Sequence, residues 1–234
     1  PADRAAVAAL LEGSPTGTAW LVRIGALIVA GIAALIAKGR APVLAIVMAA
    51  AGVAMASLAW TGHGAMDEGR AGWLHLVADI LHLIAAGAWV GALLGLVLLL
   101  ARPAERVDSD HLRLTHRALH GFGTVGTVVV ATIVLTGLIN SWLLVGPDNV
   151  LTLGTNLYGR LLLIKLALFG AMLGLASLNR FRLTPQFERS IAADDHHRAL
   201  SSLRVSLGVE TASVVVILAI VAWLGTLAPP ASGM

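Results

Sequence analysis

Three side chains able to do chemistry sit inside one long apolar stretch, residues 72–101: His75, Asp79 and His82. At about 100° per residue in a helix, Asp79 lies roughly 40° to one side of His75 and His82 roughly 20° to the other. Trp89 falls on the same stripe. Two imidazoles and a carboxylate can bind a transition metal, relay protons, or hydrogen-bond between helices. An ionisable group at the centre of a bilayer costs on the order of 2.5–3.5 kcal/mol on insertion scales, so such groups usually face protein and mark a pathway or site. His75 lies near the water interface beside Trp73 and also reads as an anchor. His82 is the deepest of the three, and a purely structural role fits it least. Residues spaced i, i+4, i+7 rarely all reach one ion. The expected site therefore takes one or two of them with a ligand from elsewhere.

His63 and Met66 offer that ligand. They form H-x-x-M in the loop before this stretch. Imidazole and thioether suit Cu(I), and imidazole also suits Cu(II). A loop histidine reads equally well as solvated, and Met48 and Met55 read as gap-fillers in an apolar helix. Haem would need two axial imidazoles at one depth. The other in-span candidate, His120, lies near the opposite end of its helix, so haem is disfavoured. His111, His116, His196 and His197 read as solvated residues of basic segments. Arg23 and Lys165 are close enough to an interface to snorkel. Lys165 shares a seven-residue stripe with Met172 and Asn179, and Glu210 shares a face with Ser206 and Ser213. Glu210 and Asn140 read as hydrogen-bonding partners between helices. With no Cys, no G-x-S-x-G and no phosphate-cradling glycine loop, neither a nucleophilic enzyme nor an ATP-driven pump is expected.

The elements that position these groups follow from composition. Of 234 residues, 58% are hydrophobic and 12% charged, against about 25% charged in a soluble domain. Six spans are expected, near 18–37, 42–61, 72–101, 117–145, 158–179 and 203–227, which makes the fold an all-α polytopic transmembrane bundle. Polar loops are expected from Arg102 to Arg117 and from Arg180 to about Ser202. A short outer segment (1–17) precedes the membrane domain (18–228), and a tail (229–234) follows. The net charge of +3 does not point to nucleic acid, because the basic residues cluster in short loops. One side carries eleven Lys and Arg and the other only Arg4, Arg70 and Arg160, which puts both termini and the His63 loop outside. The phrases Gly17–Arg23 and Gly159–Lys165 match as a glycine, five residues and a cation opening the first and fifth spans. A duplicated four-helix unit would explain them, and would imply an eight-span ancestor with two spans upstream.

Several phrases in order resemble the CopD/PcoD family of bacterial copper-resistance inner-membrane proteins. They are Trp60-Thr61-Gly62-His63, Leu81-His82, Ala88-Trp89-Val90-Gly91, Thr136-Gly137-Leu138-Ile139-Asn140, Tyr158 to Lys165, Asn179 to Pro185, Glu210 and Pro229-Pro230. The likeness runs from about Gly17 onward. It implies an eight-span protein of the bacterial cytoplasmic membrane that moves copper inward and receives it from a periplasmic carrier of the CopC type. The expected route for the ion starts at His63 and Met66 and passes to His82, with Asp79 and His75 assisting. The alternative is a non-transporting scaffold or a haem-binding electron-transfer subunit.

Overall fold

The computed structural model describes residues 14–61, 69–102, 109–192 and 197–230. Every regular element among them is helical. They are α1 (Pro15–Ile36), α2 (Ala41–Ala56), α3 (Gly69–Leu100), α4 (Ser109–Val145), α5 (Leu157–Leu178), α6 (Thr184–Ala192) and α7 (His197–Leu224). Six helical stretches are long and apolar enough to cross a membrane: Pro15–Ile36, Ala41–Thr61, Gly69–Leu100, Asp110–Val145, Leu157–Ser190 and Leu200–Leu224. Large apolar side chains face outward, as Leu35 does at 85% exposure. That is the surface a lipid solvent requires, with the backbone polar groups satisfied inside each helix.

Local chemistry sets the helix ends. Ser14, in an extended conformation, accepts a hydrogen bond from the Gly17 N–H at 3.0 Å, and Pro15 takes the first helical position. Both choices suit an N-terminus, since the cap fills an orphan donor and proline has no N–H to lose. Asn156 does the same for α5, accepting from the Gly159 N–H at 2.7 Å. The two repeated phrases thus open helices capped in the same register, each of 22 residues. Their cations, Arg23 and Lys165, occupy equivalent positions. The chain turns between α1 and α2 through Lys38 and Gly39 at φ 40° and 74°. α3 and α4, of 32 and 37 residues, run about 48 and 55 Å at 1.5 Å per residue. Both exceed a hydrocarbon core of about 30 Å, so they tilt or project.

The expected loop from Arg180 to about Ser202 is a correction. The chain stays helical after α5, through a π-helical turn, Asn179–Leu183, and then α6. Averaged hydropathy hides the cause, because Phe187 is fully buried while the residues around it are half-buried or exposed. The π-turn accommodates Pro185. Proline has no N–H to bond the Phe181 carbonyl and its ring clashes there, whereas the wider turn lets Thr184 N–H reach back to Asn179 O.

The chain divides into two compact units. One comprises the residues up to Gly87 together with Thr132–Leu144, and the other Ala88–Ala131 with the residues from Val145 on. In the first, α1 packs on α2, and Arg23 bonds to the end of α2. Its Nε donates to Ser57 Oγ and its Nη2 to Ser57 O, both at 3.1 Å, with a longer 3.5 Å bond to Thr61 Oγ1. In the second, Val145, Tyr158, Leu161, Leu162, Ile220 and Leu224 form an apolar core. There His111, expected to be solvated, is buried and donates from Nε2 to Leu99 O at 2.9 Å. Arg204 Nε donates to Leu100 O at 2.7 Å. Two basic groups thus satisfy the last carbonyls of α3, where the helix dipole also favours positive charge.

Candidate functional site

The histidine stripe on α3 faces the Thr132–Leu144 part of α4, and the pairings run in opposite directions along the two helices. Asp79 Oδ1 accepts from Asn140 Nδ2 at 3.3 Å. One turn further along α3, His82 Nδ1 lies 3.0 Å from Thr136 Oγ1, one turn earlier on α4. Gly137 permits this approach, because a Cβ there would stand 3.3 Å from His82 Cε1. His75 is 2% exposed, so it is not an interfacial anchor. Trp73 beside it is exposed. Asp79 and His82 are half-buried.

The Thr136 hydroxyl bears on the tautomer of the His82 ring. Its single proton goes to the Thr132 carbonyl at 2.6 Å. With its proton there, the oxygen accepts from His82, which favours the tautomer that donates from Nδ1. In that tautomer a neutral imidazole carries its lone pair on Nε2, one of the two nitrogens through which histidine ligates metals. Thr136 is 5% exposed, and the bond is shielded from competing water. Sequence reasoning missed this residue. The signal was available, since Thr136 and Asn140 are four apart on one helix face and match the three-residue step from His82 back to Asp79. Asn140 Oδ1 is a buried acceptor with no hydrogen-bond partner, beside the carboxylate its amide nitrogen contacts.

His63 and Met66 lie outside the described residues. Among the described residues no group of three or more His, Asp or Glu side chains is gathered to hold one metal ion. The stripe on its own therefore supplies fewer than three such ligands to any one point, as its spacing implies. Met48 is 75% exposed while Met55 packs its methyl group against Gly87, so the two form no thioether track. Lys165 is half-buried. In the second unit Asn179 Nδ2 donates to Glu210, both buried, which joins the π-turn to α7.

Comparison with known proteins decides the family. Residues 116–224 match the family described as copper resistance protein D, and residues 1–73 match its N-terminal domain, described as copper resistance protein D-like. Copper resistance protein D of Pseudomonas syringae pv. tomato is 48% identical over 216 residues, covering 91% of this chain and 68% of that protein. The chain belongs to the copper resistance protein D family. Inner membrane protein YebZ of Escherichia coli (strain K12) is 29% identical over 213 residues, 91% of this chain and 69% of its own length. Copper transport protein CutJ of Bacillus subtilis (strain 168) is 32% identical over 132 residues, 56% of this chain and 23% of that protein. No solved structure matches the chain. As a member of the copper resistance protein D family, the chain is tied to copper resistance and transport as a multi-span membrane protein.

Proposed function

We propose that this protein carries copper ions inward across a bacterial cytoplasmic membrane, with copper as cargo rather than resident cofactor. The His63 loop faces outward, where the ion is caught by His63 and Met66. It then passes to His82 Nε2, with Asp79 supplying negative charge and His75 a further imidazole. A periplasmic carrier of the CopC type delivers the ion, and both ends of this chain lie on that outer side. The excess of Lys and Arg on the opposite side supports this orientation, and the inner-membrane name of the Escherichia coli relative supports the compartment.

The observation that carries the proposal is the Thr136 relay. A buried hydroxyl, held on a backbone carbonyl, favours the His82 tautomer whose lone pair is on Nε2. Partners of this kind orient metal-binding histidines and raise their basicity. Asn140 plays the matching part for Asp79, holding the carboxylate without neutralising it. Copper retained per molecule of purified protein tests the proposal, comparing wild type with His63→Ala and His82→Ala. Loss in both variants is expected. Equal retention in all three removes these residues from the path, and a Soret band in the wild type would turn the assignment to haem.

A further inference from the structure

A second polar centre lies in the other unit, within a cavity of about 420 Å³ lined by Trp89, Phe122, Gly126, Asn179, Arg180 and Glu210, among others. Most of its wall is apolar, yet its polar atoms are poorly matched to one another. Glu210 is 2% exposed on a membrane span, and its carboxylate takes a hydrogen bond from Asn179 Nδ2 with no cation paired to it among the described residues. Asn179, 9% exposed, leaves Oδ1 buried without a hydrogen-bond partner. Trp89, 4% exposed and edge-on to Phe122 at 5.5 Å, leaves its Nε1–H in the same state. Arg180 also lines the cavity, and its guanidinium donates to Gly123 O and Thr127 Oγ1 in the same wall. Among the described residues, no titratable group from α3 or α4 lines the space.

A buried carboxylate with no paired cation among the described residues, in a cavity wall that also carries a buried donor and a buried acceptor left unmatched, calls for an occupant that both gives and accepts hydrogen bonds. Water does this, and the volume far exceeds the ~30 Å³ that one molecule occupies in the liquid. Buried polar groups left unmatched are costly, so a dry cavity here would be the unstable alternative. We propose that this cavity holds water and that Glu210, held by Asn179 across the π-turn, is an intramembrane proton-binding site distinct from the histidine stripe. The carboxylate takes one proton from the cavity water, which a proton from bulk water replaces. Release reverses the step, and only O–H bonds form and break. Asn179 is the first residue of the π-turn, and such turns often serve functional sites. On the copper reading, this site gives the protein a second ion to move.

The test is free of copper, so its failure leaves the copper reading standing. Infrared difference spectra of the full-length purified chain are recorded between acidic and alkaline buffer, in H₂O and D₂O. A carboxylic-acid C=O band that titrates, shifts in D₂O and is missing from Glu210→Gln is expected. Absence of such a band in the wild type, or its survival in Glu210→Gln, overturns the proposal. Trp89→Phe, which keeps an aromatic ring and loses the unmatched N–H of the cavity wall, is expected to move the band. An unmoved band overturns the claim that the same water reaches Glu210, whether or not Glu210→Gln folds.

Discussion

Replacing Thr136 with valine keeps the volume and branching of the side chain and removes only the oxygen that accepts from His82 Nδ1. In the wild type that oxygen stands 3.0 Å from Nδ1, and its own proton is committed to Thr132 O at 2.6 Å. Without it, the Nδ1–H either stays buried and unmatched, at a cost of about 1–3 kcal/mol, or the proton moves to Nε2 and the ligand atom is lost. Removing such a partner of a metal-binding histidine typically weakens the metal by about 10–100-fold. At 1.4 kcal/mol per tenfold, that is about 1.4–2.8 kcal/mol, in line with the hydrogen-bond figure. The assay is a competition titration of purified protein against a copper chelator, with thermal unfolding in detergent run alongside. Thr136→Val is expected to bind copper at least about 10-fold more weakly, and Thr136→Ser, which restores the oxygen, to recover most of the loss. Wild-type affinity in Thr136→Val would show that His82 does not ligate through Nε2.

Two further perturbations test how the helices are held. Gly159→Ala places a Cβ 2.0 Å from Leu153 O, a contact that only backbone movement can relieve, so a large fall in detergent Tm or loss of expression is expected. An unchanged Tm would mean that the 3-10 stretch before α5 is not packed as described. Arg23→Leu leaves Ser57 O and Ser57 Oγ without their charged donor, and hydrogen bonds to charged groups are worth about 1.5–3 kcal/mol each before solvent screening. A lower Tm is expected, and no change would return Arg23 to the role of a snorkelling cation.

The six spans were legible because lipid demands long apolar helices and nothing else in the chain imitates them. The inward turn of the polar stripe on α3 was legible for the same reason, since lipid penalises any other direction. The partner face on α4 was harder. Thr136 is a common side chain in membrane helices, and its meaning depends on which helix it meets. His111 shows the limit of counting basic residues as solvated, because it sits in a polar segment yet caps the end of α3. The π-turn was hidden because Pro185 signals a break in a helix without saying whether the chain leaves it or widens it. The cavity around Glu210 depends on residues far apart in sequence, and no spacing rule joins Trp89 to Asn179.

Inward copper movement is tested most directly by reconstituting the full-length protein into sealed proteoliposomes and following copper accumulation from the side of the His63 loop. Saturable uptake by the wild type that falls to the level of empty vesicles in His82→Ala is expected. Wild-type vesicles that accumulate no more copper than empty ones, or a His82→Ala variant that keeps the full rate, would contradict it.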